Sequence, residues 1–240
     1  MRSTLSLLAA TGLLATGLAA AVPAQAAAPV ASVAQQPAAE LPTCYPGLPE
    51  RLVMNNRQTH YTIGYGKGCP ATLYRADWHG RQKGDPVSID IEFPNGNPGA
   101  EVTLYSEISP VGVVTFTGDT DDGSGEDKDG NTVAKLATFN RMNKYVSAVD
   151  LTVSKSRGTY TLSTAAGNYR PAINKFVPWG GKQIVLQYKQ AGTSTWKQLT
   201  KVTAGSNGKA GYKWISAATF SFRAYIAGNS VVWDDYSPVR

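Results

Sequence analysis

The 240-residue sequence is poor in residues that build metal and nucleophile sites, since it contains two cysteines and two histidines. His60 and His79 are too few for a site with several histidine ligands within one chain. The sequence also lacks a G-x-S-x-G elbow, and its glycine-rich stretches have neither dinucleotide-binding nor Walker spacing. Nucleotide binding has no support, and because no catalytic set is assembled we expect a protein that is not an enzyme.

Sustained helical periodicity is also absent from the expected mature chain, and short alternating runs take its place. In PVSIDIEF, every second residue from Val87 to Phe93 is apolar, so these residues fall on one face of a strand. Comparable runs rich in Val, Thr, Tyr and Ile recur to the end of the chain, separated by turn signals. The pattern predicts an all-β fold built from sandwich modules.

The N-terminal region predicts export. Residues 1–26, MRSTLSLLAATGLLATGLAAAVPAQA, have the basic start, apolar run and small final residues of a secretory signal peptide. Residues 27–42 are rich in Ala, Pro and Gln and predict a disordered linker. We expect a secreted or cell-wall-associated protein with no transmembrane segment in the mature chain. The NKFVPWGG segment then divides it into modules at residues 43–170 and 171–240.

The two cysteines, Cys44 and Cys69, would both enter an oxidising compartment on export. A disulfide between them is the natural pairing, and it would stabilise the fold by roughly 3 kcal/mol if it is unstrained. The alternative is a nucleophilic or metal-bound cysteine, which would leave free thiols in an oxidising medium.

Charge is spread unevenly along the expected mature chain. Residues 27–170 contain 13 basic and 15 acidic residues, a net charge of −2, whereas residues 171–240 contain 9 basic and 2 acidic residues, a net charge of +7. The lysines in consecutive strands and turns of the second module are Lys189, Lys197, Lys201, Lys209 and Lys213. They predict a basic face that binds an anionic cell-envelope polymer, and the alternative is a solvated surface without a partner.

The motifs of the C-terminal segment resemble those of a known family. Residues 176–240 contain Tyr188, Trp196 before a polar strand, an Asn207-Gly208 turn, Phe222-Arg223, and Gly228 before the final strand. This segment resembles the immunoglobulin-like β-sandwich modules of exported and cell-surface proteins of high-GC Gram-positive bacteria. GTYTLSTAAGN, residues 158–168, is more weakly similar to the Gly-x-Tyr-x-Cys segment of such domains, with Tyr160 at the corner tyrosine and Leu162 in place of the cysteine.

The resemblance implies two immunoglobulin-like β-sandwich modules in tandem after the signal peptide and linker. It implies a role in adhesion, spacing or surface binding, and it carries no active site that could be transferred to this chain.

The stretch GDTDDGSGEDKDGN, residues 118–131, is the strongest candidate for metal binding. Its carboxylates are Asp119, Asp121, Asp122, Glu126, Asp127 and Asp129. Calcium takes six to eight oxygen ligands, and glycines would let the backbone wrap round the ion, although the EF-hand spacing is incomplete. The stretch predicts a calcium site, and the alternative is a solvated hairpin loop between two strands.

Two further segments have a candidate chemistry and a structural alternative. SIDIEF resembles the E-I-D-I-E strand of laminarinase-like glycosidases, with Asp90 and Glu92 matching but Ser88 in the nucleophile position. An ordinary exposed strand face is the alternative. The aromatics around Cys69 predict either a sugar-stacking platform or core packing beneath the disulfide, and they are Tyr61, Tyr65, Tyr74 and Trp78.

These patterns together favour an exported, non-enzymatic protein that binds at or near the cell envelope. Its expected partner is an anionic polymer of the envelope or another exported protein. Two alternatives remain: an exported inhibitor of a protease or other hydrolase that uses the loop at residues 94–98, and a small glycan-active enzyme that uses Asp90 and Glu92.

Overall fold

The computed structural model describes residues 40–119 and 123–240, and within these ranges it contains eighteen strands and no α-helix. The all-β fold class predicted from the sequence is confirmed. The predicted signal peptide and residues 27–39 of the linker lie outside the described residues. Across the described ranges, no helix has the length and apolar character needed to cross a membrane.

Ten strands form the first group, and they are β1 (Thr43–Cys44), β2 (Arg51–Met54), β3 (Gln58–Gly64), β4 (Ala76–Arg81), β5 (Ser88–Phe93), β6 (Gly99–Tyr105), β7 (Gly112–Gly118), β8 (Ser124–Glu126), β9 (Thr132–Leu136) and β10 (Phe139–Tyr145). They build a five-stranded sheet in the order β2-β10-β7-β4-β5, a three-stranded sheet in the order β1-β9-β8, and the pair β3-β6. One shared hydrophobic core joins these sheets.

The alternation of apolar and polar residues in the sequence correctly identifies residues that form the core of the first group. Ile89, Ile91 and Phe93 of β5 are buried, whereas Asp90 and Glu92 between them are exposed. Trp78 is fully buried beside Phe93, with ring centroids 6.1 Å apart. The apolar face of β5 therefore packs inward, as the period of two predicted.

The predicted disulfide between Cys44 and Cys69 is confirmed, with the two Cα atoms 4.2 Å apart. It ties the buried end of β1 to the segment after β3. Residues just before β1 also belong to the fold, because the Pro42 carbonyl accepts a hydrogen bond from the Lys135 amide at 2.9 Å.

Eight strands form the second group, and they are β11 (Ser147–Ser156), β12 (Thr159–Arg170), β13 (Lys175–Pro178), β14 (Gln183–Gln190), β15 (Lys197–Thr203), β16 (Lys209–Ile215), β17 (Phe220–Ile226) and β18 (Asp235–Tyr236). A 3₁₀ turn at Pro171–Ile173 separates β12 from β13. One sheet contains β11, β12, β13 and β16, and the other has the order β15-β14-β17-β18.

This pairing is that of an immunoglobulin-like sandwich. When the short β13 is left out, β11, β12 and β16 are the first, second and fifth strands of the group, and they share one sheet. The third, sixth and seventh strands, β14, β17 and β18, share the other sheet, and the fourth strand, β15, pairs at its edge. Both sheets contribute to a single core that contains Val149, Leu162, Leu186, Phe222 and Ile226.

The division between modules expected at residues 170 and 171 does not separate the two groups of strands. β12, which precedes that point, pairs with β13 and β16, which follow it. The two hydrophobic cores divide between Phe139 and Val149 instead. Alternation identified the strands but contains no information on pairing partners, which is why β11 and β12 were assigned to the wrong module.

The corner role expected for Tyr160 is also not what the structure shows. Its hydroxyl donates a hydrogen bond to the Ala218 carbonyl at 2.8 Å, far along the chain, whereas a tyrosine corner bonds to backbone a few residues away. Leu162 fills the core at full burial, as expected of a residue in the cysteine position.

Residues 229–234 join the two groups of strands. The Trp233 indole Nε1 donates to the Leu52 carbonyl at 2.9 Å, and the Arg51 guanidinium lies 4.0 Å above the Trp233 ring. Arg51 also pairs with Asp234 at 2.9 Å, and the Lys144 ammonium donates to the Asn229 carbonyl at 2.7 Å. We call this set of contacts the Trp233 joint.

Candidate functional site

The acidic stretch follows β7, and its second half forms a tight hydrogen-bonded turn. Asp127 Oδ1 accepts hydrogen bonds from the backbone amides of Asp129 and Asn131, each at 2.9 Å. The Asn131 side-chain amide donates to both carboxylate oxygens of Asp127. The Asn131 side chain and the two amides lower the pKa of Asp127, so its carboxylate shapes a turn between β8 and β9.

Asp119 points to a different partner. Its carboxylate contacts His79 Nε2, while His79 Nδ1 lies 2.6 Å from Asp90 Oδ1. Partial burial lowers the pKa of His79, but the hydrogen bond to Asp90 and the charges of Asp119 and Asp90 outweigh it, so the pKa is raised. Both ring nitrogens can donate only in the protonated imidazole, so the two aspartates favour a charged His79.

The structure divides the predicted calcium ligands among several roles. Asp119 binds His79, Asp127 holds a turn, and the backbone carbonyl of Glu126 accepts hydrogen bonds from Tyr74 and Arg75. Asp121 and Asp122 lie outside the described residues. In residues 40–119 and 123–240, no three His, Cys, Asp or Glu side chains lie close enough to hold a metal ion. Calcium binding at residues 118–131 stays a prediction.

In the strand that resembles a glycosidase motif, the two carboxylates lie on one face, as the alternation of residues predicts. Asp90 and Glu92 lie on the exposed face of β5, opposite His79 and Asp77 of β4. Asp90 is engaged with His79, and Ser88 lies 3.4 Å from its other oxygen. The arrangement is a salt-bridged strand face, and the nucleophile position remains a serine.

The aromatic residues near the disulfide pack mainly into the core. Trp78 is fully buried, and Tyr65 stacks on Phe93 with ring centroids 4.3 Å apart. The Tyr61 hydroxyl donates to the Val53 carbonyl at 3.1 Å and accepts from the Val53 amide at 2.6 Å. These contacts support core packing over a sugar-stacking platform.

The loop considered for an inhibitor, residues 94–98, is a short turn. The Asn97 amide donates to the Pro94 carbonyl at 2.8 Å, and the Gly96 amide donates to the Tyr74 carbonyl at 3.0 Å. Gly96 has a φ of +75°, and an added Cβ would lie 2.7 Å from the Tyr74 ring, so a glycine is needed there. Inhibition of a hydrolase through this loop stays a prediction.

The predicted basic residues gather mainly on two edge strands. β15 is the end strand of its sheet, and among the described strands β16 pairs with β12 alone. Lys197 and Lys201 are exposed on β15, and Lys209 and Lys213 are exposed on β16. The two strands also approach each other across the sandwich. We call these four lysines the basic edge. The fifth residue, Lys189, lies on β14 with its ammonium 5.2 Å from the Trp196 ring.

The basic edge has one acidic side chain close to it. Asp150 of β11 and Lys209 line the same shallow surface hollow. The other acids of residues 147–240 are Asp234, which pairs with Arg51, and Asp235, which accepts a hydrogen bond from the Val149 amide. None of the four lysines of the basic edge forms a salt bridge within residues 40–119 and 123–240. Lysines on edge strands also discourage pairing with other sheets, which is the structural alternative.

The outer face of the sheet β15-β14-β17-β18 has a row of stacked side chains that was not predicted from the sequence. The Arg223 guanidinium lies 4.4 Å from the Trp196 ring centroid and 4.4 Å from that of Tyr236. Tyr236 in turn packs on Tyr225 at 4.6 Å, and Arg223 Nε donates to Gln187 at 2.7 Å. Alternation in SFRAYI places Arg223 and Tyr225 on one face, but the register of β17 with β18 is needed to bring Tyr236 beside Tyr225. Trp196 lies just before β15, and its contact with Arg223 has no local signal in the sequence.

Comparisons with known proteins give structural likeness only. No protein-family model matches the chain, and no curated protein matches it. The fold is similar to a cytokine receptor complex, at 10% identity and a TM-score of 0.38, covering 78% of this chain and 91% of that one.

Two other similar structures are multidomain proteins. Chicken CNTN1 FN1-FN3 domains match at 12% identity and a TM-score of 0.31, covering 83% of this chain and 62% of that chain. Domains A168–A170 from titin match at 11% identity and a TM-score of 0.29, covering 83% and 66%. At these scores the likeness carries no argument about function.

Proposed function

We propose that this protein is an exported, non-enzymatic binding protein that attaches to an anionic polymer of the bacterial cell envelope through the basic edge. The observation that carries the proposal is that four exposed lysines lie on two edge strands that approach each other, and that none of them forms a salt bridge among the described residues. Export is supported by the disulfide, which persists in oxidising compartments, and by the signal-like pattern of residues 1–26.

The strand pairing sharpens the charge argument. When the chain is divided between its two cores, residues 40–146 contain 10 basic and 14 acidic residues, a net charge of −4. Residues 147–240 contain 12 basic and 3 acidic residues, a net charge of +9. The second group of strands is therefore more basic than the sequence division suggested, and it would orient toward a polyanion while the first group is repelled.

Co-sedimentation with isolated Gram-positive cell wall tests the proposal. The protein is mature residues 27–240, and the variant is Lys201→Gln/Lys209→Gln/Lys213→Gln. Each rim contact between charges contributes about 0.5–1 kcal/mol, so the loss of three should weaken binding roughly 10- to 100-fold.

A charge-matched control separates a local site from total charge. Lys67, Lys83 and Lys128 are exposed lysines of the first group, and their triple substitution by glutamine removes the same three charges. This control should bind within about twofold of the wild type. Equal weakening in both variants would show that net charge alone drives attachment and would contradict a basic edge.

Calcium binding by residues 118–131 is a separate prediction with its own test. Calorimetric titration of calcium into chelator-treated protein would give saturable heat that is lost in Asp119→Asn/Asp121→Asn/Asp127→Asn. An absence of heat up to several millimolar calcium, the weak end of extracellular modules, would leave the stretch as a solvated loop.

A further inference from the structure

One end of the second sandwich contains a hollow of about 370 Å³ with an aromatic wall. Tyr188, Trp214 and Phe220 form this wall, with ring centroids 5.1 Å apart for Tyr188 and Trp214 and 4.7 Å apart for Trp214 and Phe220. All three rings are half-buried, so one side of each packs on the core and another side is open. Trp214 is further held against Tyr160 and Phe222, so the wall is fixed before any ligand arrives.

Polar groups surround the aromatic wall. The lining includes Gln190, Thr193, Thr195 and Lys197. The Thr193 hydroxyl donates to the Gln190 carbonyl at 2.9 Å, which closes the turn at this rim. Within the described part of the chain, the side chains of Gln190, Thr195 and Lys197 have no hydrogen-bond partner, so their donors and acceptors are available to a ligand.

This combination selects a class of ligand. The rings of the wall are inclined to one another by 46° to 86°, so the hollow offers single aromatic faces on which a ring with an apolar face can stack. An amide, hydroxyls and an ammonium at the edge accommodate a ring with many hydroxyls and a negative charge. A linear polyol phosphate would satisfy Lys197 but leave the aromatic wall uncovered. A hydrocarbon ligand would leave the three polar side chains unpaired.

We infer that this hollow binds one sugar ring bearing an anionic substituent, such as a uronic acid residue, within the polymer held by the basic edge. The inference rests on the proposed function, since Lys197 belongs both to the hollow and to the basic edge. The sugar ring stacks on the aromatic wall, its hydroxyls bond to Gln190 and Thr195, and Lys197 pairs with its charge.

The test compares two anions of different shape by NMR on mature residues 27–240. One probe is a hexameric oligogalacturonate, and the other is inorganic polyphosphate, which has charge but no sugar rings. The sequence has five tryptophans, so the Trp214 indole resonance can be assigned from a Trp214→Phe variant. We expect oligogalacturonate to shift this resonance saturably, and polyphosphate to leave it in place.

A matched pair of variants separates the hollow from the charge. Gln190→Ala/Thr195→Val removes polar rim groups and keeps the aromatic wall, and it should weaken oligogalacturonate binding about tenfold without affecting polyphosphate. Gln183→Ala/Thr203→Val makes the same changes at the opposite end of β14 and β15, where these residues are paired and exposed, and should bind both probes as the wild type does.

Two other outcomes would contradict the sugar site alone or the sugar site together with the proposed function. If both anions bind but the Trp214 resonance does not move and the rim variant binds oligogalacturonate normally, the sugar site is wrong and the basic edge stands. If neither anion binds, both the sugar site and the proposed function are wrong.

Discussion

The Trp233 joint leads to a prediction whose magnitude can be worked from its contacts. The indole hydrogen bond to the Leu52 carbonyl is well formed at 2.9 Å and contributes about 1 kcal/mol net. The Arg51 guanidinium over the ring at 4.0 Å contributes about 0.5–1 kcal/mol at a partly exposed site. Removing the half-buried ring forfeits about 1–2 kcal/mol of apolar contact in addition.

Trp233→Ala should therefore lower the free energy of unfolding by about 3 kcal/mol, the sum of these three contributions. Trp233→Phe keeps a ring but loses the indole donor, so it should cost about 1 kcal/mol. Guanidinium titrations of both variants give these values if the slope of the unfolding transition is unchanged.

A double-mutant cycle isolates the ring contact with Arg51. Arg51→Ala should cost about 0.5–1 kcal/mol less in the Trp233→Ala background than in the wild type. A cost for Trp233→Ala below about 1 kcal/mol, or a coupling of zero, would refute the joint as a stabilising connection.

Three further predictions concern the fold. Replacing Cys44 and Cys69 by serine should lower the free energy of unfolding by about 3 kcal/mol, the value expected for a closed loop of this length, and unchanged denaturant midpoints would contradict it. Leu162→Ala at a fully buried position should cost about 2–5 kcal/mol by calorimetry, and a cost below about 1 kcal/mol would mean that the second core collapses around the change. The raised pKa of His79 makes its stabilisation fully present below its unfolded pKa of about 6.5 and lost as pH rises through the folded value. The wild type should therefore lose more stability between mildly acidic and mildly alkaline pH than His79→Gln, while His60→Gln serves as the control; identical pH dependence in all three proteins would remove the role of His79.

Local features of the fold followed from the sequence because they depend on neighbouring residues. The burial of Ile89 and Phe93 follows from a period of two, and the bond between Cys44 and Cys69 follows from there being no other cysteine. β11 and β12 were recognised as strands for the same reason. Their assignment to the second core depends on the pairing of β12 with β16, which lies some fifty positions away and has no local signature, and β11 follows because it pairs with β12.

The candidate sites could also be predicted only in part, because their geometry depends on which strands pair. Six clustered carboxylates predicted a shared site, but cross-strand register brings Asp119 to His79, because His79 lies opposite Thr117 in the adjacent strand. The lysines of the second module were found from their spacing, whereas their position on two edge strands required the sheet order. The hollow lined by Tyr188 and Trp214 was missed because its walls come from both sheets.

The most direct test of attachment through the basic edge is the salt dependence of the dissociation constant for isolated cell wall, measured for the wild type and for Lys201→Gln/Lys209→Gln/Lys213→Gln. The account predicts a steep rise of the dissociation constant with salt in the wild type, and a logarithmic slope smaller by up to about three units in the variant, about one for each lysine that contacts the polymer. A dissociation constant that does not change with salt, or identical slopes for the two proteins, would contradict it.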